Sequence, residues 1–151
     1  PPRILSIAGS DSSGGAGIQA DLKTVAMLGG YGMTAITAVT AQNTLGVQAV
    51  ETFAPAFVLA QVESCLGDIG ADAIKIGMLG SAEIADALAA RLDAFAGAIV
   101  FDPVMVATSG ADLADAATIA AFAGLMDIAT LVTPNLPELA ALTAMPLGSV
   151  D

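Results

Sequence analysis

Histidine and tryptophan are absent from the 151-residue sequence, and cysteine occurs once, as Cys65. These absences exclude a histidine general base, a zinc site built from cysteine and histidine, and a framework of disulfide bonds. Basic residues are also scarce, because four lysines and arginines face fifteen aspartates and glutamates, which gives a formal net charge of −11 at pH 7. The four bases stand singly along the chain, so no basic patch predicts binding to nucleic acid or to an anionic membrane. An anionic ligand would instead need backbone N–H groups, helix N-termini or a metal ion.

Apolar residues dominate what is present, at 56% of the sequence, and the mean hydropathy is +0.80. A chain of this length and composition predicts one domain with a substantial core and excludes general disorder. The stretch 24–50 carries no charge, but Gly29, Gly30 and Gln42 interrupt it and favour a helix end followed by a buried strand over a membrane span. The single thiol and the absence of a signal-peptide pattern lead us to expect a cytoplasmic protein.

Short apolar runs alternate with amphipathic stretches along the sequence. The predicted strands are 3–8, 34–41, 47–53, 73–76, 98–101 and 130–132, and the predicted helices are 15–28, 55–66, 81–95, 115–126 and 136–142. This alternation predicts βαβ units, an α/β fold and a mostly parallel sheet. The strands are almost continuously apolar, which is typical of a sheet covered on both faces. We expect the 47–53 strand to lie at the periphery.

Small or polar residues follow most of the predicted strands. Examples are Gly9, Gln42, Gly77, Asp102 and Asn135. The carboxyl ends of parallel strands share one edge of the sheet, and ligands of open α/β sheets bind outside that edge. The pattern therefore favours a small-molecule site there, although polar residues also occupy ordinary loops.

The stretch 8–17 reads AGSDSSGGAG and follows the first strand. It has the glycine spacing of a phosphate-binding P-loop but lacks the Lys and Ser or Thr that complete that motif. The overlapping stretch 15–20 matches the dinucleotide-binding pattern GxGxxA, but no acidic residue lies between Asp21 and Glu51 to bind a ribose. The occupant of this loop therefore stays open between a flat organic molecule, a phosphate and another part of the same protein.

Two further patterns allow both a structural and a functional interpretation. Asn135 and Glu138 form an N-x-x-E pattern at the start of the predicted helix 136–142. They could contact phosphate and hold Mg²⁺ through water, or they could simply cap the helix. Lys75 interrupts a buried strand and requires an acidic partner, for which Asp102 is a candidate, in a pair that is either structural or functional.

Five stretches, taken together, carry a resemblance to a known family. They read IAGSDSSGGAGIQADLKT, TAVTAQNTLGV, IKIGML, DPVMVATSG and VTPNLPE. In this order they resemble the hydroxymethylpyrimidine/phosphomethylpyrimidine kinases of thiamine biosynthesis, which belong to the ribokinase-like superfamily. The resemblance implies a three-layer αβα sandwich with a mostly parallel sheet. It also implies that residues 1–151 are the N-terminal portion of a single kinase domain whose C-terminal part is absent here.

The resemblance implies that ATP and Mg²⁺ serve to phosphorylate 4-amino-5-hydroxymethyl-2-methylpyrimidine and then its monophosphate. It assigns substrate contacts, with Gln42 hydrogen-bonding the ring, to Gly9, Ala16, Asp21, Gln42, Met78 and Val104. It assigns the nucleotide and metal to Asn135 and Glu138, with Glu138 as the Mg²⁺ ligand. We expect no nucleic acid or membrane partner and a homodimer in the full-length form. The stretch 47–53 resembles part of the lid of these kinases, which often forms a dimer contact.

Members of this family are longer, and their glycine-rich anion hole and catalytic base lie beyond the position of Asp151. The catalytic residue is therefore not assigned within this chain. We expect the isolated chain to bind the pyrimidine weakly and to turn over little or no ATP. Two other functions remain open, namely a pyridoxal kinase of the same superfamily and a non-catalytic pyrimidine-binding half-domain.

Overall fold

A single sheet with helices on both faces organises the computed structural model, which describes residues 1–145. Its elements, in chain order, are β1 (Arg3–Asp11), α1 (Gly17–Met27), β2 (Tyr31–Asn43), β3 (Gly46–Thr52), α2 (Pro55–Asp68), β4 (Ala73–Ile76), α3 (Ala82–Leu92), β5 (Ala98–Phe101), α4 (Ala116–Ile128), β6 (Leu131–Val132) and α5 (Leu136–Thr143). The strand order is β3-β2-β1-β4-β5-β6. Only the β2–β3 pair of these strands is antiparallel. The predicted α/β fold with a mostly parallel sheet is confirmed.

One face of the sheet carries the hydrophobic core. Leu5 and Ile7 of β1 are fully buried, and so are Leu88 of α3 and Phe101 of β5. Phe101 packs edge-to-face on Phe122 of α4, with ring centroids 5.1 Å apart. Each fully buried large side chain of this kind stabilises the fold by about 1.5–3 kcal/mol relative to an exposed one. Helices α2, α3 and α4 therefore cover this face and supply most of the burial.

The opposite face carries polar side chains next to α1. Because successive strand residues point to opposite faces, Ser6 lies on the other side of β1 from Leu5 and Ile7. Ser6 is in register with Lys75 of β4, and both side chains contact Asp21 of α1. Helix α1 therefore packs on this second face, which completes the predicted three-layer arrangement.

The structure extends two of the predicted strands. Strand β1 continues past residue 8, because after a bulge Ser10 and Asp11 resume pairing with β2. Strand β2 begins at Tyr31 and ends at Asn43, so Gln42 belongs to the strand and pairs with Val47 of β3 instead of following the strand. Both extensions arise from pairing with a neighbouring strand, which local sequence does not show. The remaining predicted elements are present, with ends shifted by up to three residues.

The uncharged stretch 24–50 forms the end of α1, all of β2 and most of β3, as predicted. No helix within residues 1–145 combines the length and hydrophobicity needed to span a bilayer.

Gln61 of α2 closes part of an exposed strand edge. Strand β3 pairs with β2 only from Ala38 onward, so the first half of β2 has no strand on that side. The Gln61 side chain accepts from the Ile36 backbone N–H at 2.9 Å and donates to the Ile36 carbonyl at 3.0 Å. The side chain thus replaces the backbone of a missing neighbouring strand.

Replacing Gln61 with Leu should lower the free energy of unfolding by about 1–3 kcal/mol, because both polar groups of Ile36 lose their partners. Chemical denaturation measures this change. The matched control is Gln48→Leu, at an exposed position of β3, which should change stability by less than about 0.5 kcal/mol. Equal effects of the two substitutions would contradict the edge-closing role of Gln61.

Candidate active site

A cavity of about 400 Å³ opens at the carboxyl-terminal edge of the parallel strands. The ends of β1 and β2, the loops after β4, β5 and β6, and helices α1 and α5 contribute to its wall. All eight residues that the resemblance assigned to substrate, nucleotide or metal line this cavity: Gly9, Ala16, Asp21, Gln42, Met78, Val104, Asn135 and Glu138. The structure thus brings the predicted residues together, while their individual roles stay predictions.

The glycine-rich loop after β1 is held by the protein's own carboxylate. Asp11 Oδ1 accepts from the backbone N–H and hydroxyl of Ser13, both at 2.8 Å. Asp11 Oδ2 accepts from the backbone N–H groups of Gly15 and Ala16, both at 2.9 Å. Burial of Asp11 opposes its ionisation, but these donated hydrogen bonds outweigh burial and hold its pKa below the ordinary value. The sequence left the loop open to a flat organic molecule, a phosphate or another part of the same protein. The Asp11 carboxylate binds the N–H groups of the loop, so for these groups the partner is the protein itself.

Glycine is required where α1 approaches the end of β1. Gly17 has a positive φ of 56°, and a Cβ atom on it would lie 2.3 Å from the Gly9 carbonyl oxygen. A Cβ atom on Gly9 would in turn lie 2.7 Å from the Met78 sulfur. The two glycines therefore allow helix α1 and the Met78 side chain to converge on the cavity from opposite sides.

Gln42 lies at the cavity and is tied to the glycine-rich loop through its backbone. The Ser12 hydroxyl donates to the Gln42 carbonyl at 2.7 Å and accepts from the Gln42 N–H at 2.8 Å. The side-chain oxygen of Gln42 accepts from Thr40 at 3.2 Å. This arrangement fixes the backbone of Gln42 and leaves its side-chain NH₂ group for a ligand, since no group of residues 1–145 accepts from it.

A cluster of charges forms the floor of the cavity. Lys75 Nζ lies 3.1 Å from Asp21 Oδ2 and 4.0 Å from Asp102 Oδ2. The sequence suggested Asp102 as the partner of Lys75, but the nearer carboxylate is that of Asp21. Burial raises the pKa of Asp102, Lys75 lowers it, and the carboxylates of Glu138 and Asp21 raise it further, so that the balance lies above the ordinary value. The carboxylates at this edge therefore repel one another, and a cation bound among them would relieve the repulsion.

Asn135 and Glu138 form a helix cap at the cavity wall. Asn135 Oδ1 accepts from the Glu138 N–H, and Glu138 Oε2 accepts from the Asn135 N–H, both at 2.9 Å. The capping interpretation is therefore confirmed. Glu138 is buried, with 7% of its surface exposed, yet it lines the cavity. The cap engages Oε2, and Oε1 makes no hydrogen bond to residues 1–145.

The donor set suits Mg²⁺ only in part. Within residues 1–145, no group of three acidic or cysteine side chains is arranged to hold a metal ion by itself. Mg²⁺ usually takes one or two carboxylates and completes its shell with water and substrate phosphates. The carboxylates of Glu138 and Asp102 fit that description, because both are hard oxygen donors on the same cavity wall.

Sequence reasoning missed the structural role of Asp11 and the contacts of Ser6. A local signal existed for Asp11, because an aspartate followed two residues later by serine is a common side-chain-to-backbone turn. No local signal existed for Ser6, since its contact with Asp21 depends on how α1 packs on the sheet.

Comparison with known proteins identifies the family of this chain. The family model described as phosphomethylpyrimidine kinase matches residues 11–151. The chain belongs to the phosphomethylpyrimidine kinase family. Nearly the whole described structure, including four of the five strands that end at the cavity edge, lies within the matched range.

Relatives in the phosphomethylpyrimidine kinase family are similar over almost all of this chain. A hydroxymethylpyrimidine/phosphomethylpyrimidine kinase from Escherichia coli is 49% identical over 144 residues, which are 94% of this chain and 54% of that protein. The crystal structure of phosphomethylpyrimidine kinase from Clostridium difficile matches with a TM-score of 0.91 and 43% identity, covering 99% of this chain and 66% of that one. The chain therefore spans about half the length of the E. coli relative.

A second enzyme has a similar structure. Pyridoxal kinase from Staphylococcus aureus, solved with ADP, matches with a TM-score of 0.86 and 39% identity, covering 99% of this chain and 55% of that one. Together with the phosphomethylpyrimidine kinase structure, this likeness confirms the predicted ribokinase-like fold.

Replacing Asp11 with Asn should lower the free energy of unfolding by about 1–3 kcal/mol at pH 7, because an amide nitrogen cannot accept from the loop N–H groups. The folded-state pKa of Asp11 lies below its ordinary value of 3.8. Its stabilisation is therefore complete above that value and is lost as the pH falls through the folded pKa. Urea denaturation at pH 7 and at acid pH should show the difference from wild type shrinking on acidification.

The control for this experiment is Asp68→Asn, at the exposed end of α2, which should stay within about 0.5 kcal/mol of wild type. A stability difference at Asp11 that grows as the pH falls would contradict the assigned role of its carboxylate.

Proposed function

We propose that this chain forms the pyrimidine-binding part of a kinase that transfers a phosphoryl group from ATP to 4-amino-5-hydroxymethyl-2-methylpyrimidine and then to its monophosphate. The observation that carries the proposal is that eight residues, assigned from separate motifs, line one cavity at the carboxyl edge of the sheet. A volume of about 400 Å³ suits a small heterocycle. A relative 49% identical to this chain carries the name of this activity.

The cavity wall offers complementary surfaces to a substituted pyrimidine. Gly9 and Ala16 place little side chain in the space, so a flat ring can approach the backbone. Met78 and Val104 supply apolar contacts, and the Gln42 NH₂ group supplies a donor for the ring edge. This combination of apolar surface and a few placed polar groups is typical of small-molecule sites.

In the proposal, ATP and Mg²⁺ bind beside Asn135 and Glu138. Mg²⁺ would neutralise part of the charge that the transferring phosphoryl group carries. Glu138, with Asp102 near it, would hold the ion, and the Asn135–Glu138 cap fixes the orientation of the Glu138 carboxylate. We further propose that the catalytic base and the anion hole belong to a part of the kinase outside these 151 residues.

The proposal also includes a cytoplasmic homodimer. Strand β3 lies at one end of the strand order, and most of its residues are exposed. Large apolar side chains stand exposed at or beside it, namely Val39, Leu45 and Val50. A second copy of the chain would cover these side chains, and the single free thiol of Cys65 suits a reducing compartment.

Pyridoxal phosphorylation is the second candidate. The observation that favours it is the likeness to pyridoxal kinase, with a TM-score of 0.86 over 99% of this chain. Among the solved structures, the identity to that enzyme is 39%, against 43% for the phosphomethylpyrimidine kinase from Clostridium difficile. The higher identity supports the pyrimidine as the first candidate.

Replacing Gln42 with Ala should weaken binding of the hydroxymethylpyrimidine about tenfold, because the ring loses a hydrogen bond inside the cavity. NMR titration of the 151-residue chain measures this affinity even where it is weak. The matched control is Gln48→Ala, an amide on the exposed surface of β3, which should leave the affinity unchanged. Unchanged affinity in the Gln42 variant would contradict the assigned ring contact.

Measurements of phosphoryl transfer and of ligand affinity together should separate the candidate functions. The 151-residue chain should bind the pyrimidine but produce little or no ADP, because positioning and charge stabilisation supply most of the rate and the proposed anion hole is elsewhere. Production of ADP with hydroxymethylpyrimidine and with pyridoxal is the measurement. Full-rate pyrimidine phosphorylation by these residues would overturn their assignment as an incomplete portion, and tighter binding of pyridoxal than of the pyrimidine would favour the second candidate.

A further inference from the structure

Three polar side chains from three elements meet beneath the cavity. Ser6 of β1 and Lys75 of β4 are in register on neighbouring strands. Both donate to the same atom of α1, because Ser6 Oγ lies 2.6 Å and Lys75 Nζ 3.1 Å from Asp21 Oδ2. Two independent contacts therefore fix one oxygen of this carboxylate from the side of the sheet.

Gly77 leaves space beside the Lys75 side chain. A Cβ atom on Gly77 would lie 2.9 Å from Lys75 Nζ and 3.1 Å from the Ala8 Cβ atom. Glycine at this position therefore leaves room for the lysine side chain as it passes along the sheet face. A lysine in a central strand is costly unless its charge is paired, and here 27% of its side chain remains exposed.

Lys75 is also the only cationic side chain of residues 1–145 that lines the cavity. Its ammonium lies between the carboxylates of Asp21 and Asp102. Without it, Asp21 would keep the Ser6 hydrogen bond but lose its counter-charge and face Asp102 directly.

The second oxygen of Asp21 is left for a ligand. Oδ1 makes no hydrogen bond to residues 1–145. Every buried side-chain oxygen of these residues does have a hydrogen-bond partner, so an oxygen without one is not buried. Oδ1 is therefore accessible, and Asp21 lines the cavity. An ionised carboxylate only accepts hydrogen bonds, so this atom selects a ligand that presents an N–H or O–H group.

We propose that Lys75 is a positioning residue that, with Ser6, holds Asp21 Oδ2 so that Oδ1 accepts a hydrogen bond from the exocyclic amino group of the aminopyrimidine. The inference rests on the proposed function and adds the group that recognises the amine. It makes the Asp21 carboxylate a determinant of specificity. The orientation of that carboxylate is set by Ser6 and Lys75 on the sheet, which need not touch the substrate.

The test compares two ligands in wild type and in Lys75→Met. The ligands are 4-amino-5-hydroxymethyl-2-methylpyrimidine and 5-hydroxymethyl-2-methylpyrimidine, which lacks the amine. NMR titration of wild type should show the amine-bearing ligand binding at least about tenfold more tightly, as expected for a hydrogen bond to a charged group. In Lys75→Met this ratio should fall to within about threefold, while the affinity for the ligand without the amine changes little.

The ratio of affinities separates positioning from a purely structural role. A substitution that only loosened the cavity would weaken both ligands alike and leave the ratio at its wild-type value, which would overturn the proposal. Arg3→Met is the matched control, because it removes the exposed Arg3–Asp72 ion pair outside the cavity and should leave both affinities unchanged.

Ser6→Ala keeps the test decisive if Lys75→Met fails to fold, as judged by circular dichroism. It removes only the 2.6 Å hydrogen bond and should reduce the ratio about threefold, and an unchanged ratio would overturn the proposal. Failure of wild type to bind the aminopyrimidine would overturn the proposed function itself. Wild-type binding with an unaltered ratio in the variants would overturn the positioning of Asp21 by Lys75 and Ser6 and leave the proposed function standing.

Discussion

The carboxylate of Asp11 holds together the segment on which the site depends. Its four hydrogen bonds to Ser13, Gly15 and Ala16 fold the loop back on the end of β1. The same loop is fastened to the end of β2 by the two hydrogen bonds between Ser12 and Gln42. Asp11 and Ser12 together therefore tie the loop that leads into α1 to the ends of β1 and β2. This segment contains Ala16 and leads directly into α1, so a change in its conformation would displace both Asp21 and Gln42.

The two faces of the sheet carry different tasks. The face covered by α2, α3 and α4 buries large apolar side chains such as Leu88, Phe101 and Phe122. The face covered by α1 carries Ser6 and Lys75, whose partners are polar and lie at the cavity. Stability thus comes mainly from one face, and this leaves the other free to hold charges that a packed apolar layer would exclude.

The sequence was sufficient to predict the architecture and which residues line the cavity, but not the contacts among them. Alternating apolar runs predicted the parallel sheet, and the positions after the strands predicted that Gly9, Gln42 and Asn135 share one edge. The extension of β1 to Asp11 was not predictable, because it depends on pairing with Val39 and Thr40 across a bulge. The partner of Lys75 was also beyond local reasoning. Choosing between Asp21 and Asp102 requires the packing of α1 on the sheet, which is a tertiary property.

Glu138 shows why a structural and a functional interpretation of one motif need not compete. The capping box engages Oε2 through the Asn135 N–H, which orients the carboxylate at the cavity wall. The other oxygen, Oε1, can then bind a ligand without further loss of side-chain conformational entropy, because the cap has already ordered the Glu138 side chain. The chain has a net charge of −11, and within residues 1–145 a single cation, Lys75, lines this cavity, so the protein offers little positive charge to a polyphosphate. In the proposed function, a divalent ion held by such a pre-ordered carboxylate would neutralise the negative charge with which the acids otherwise repel the nucleotide.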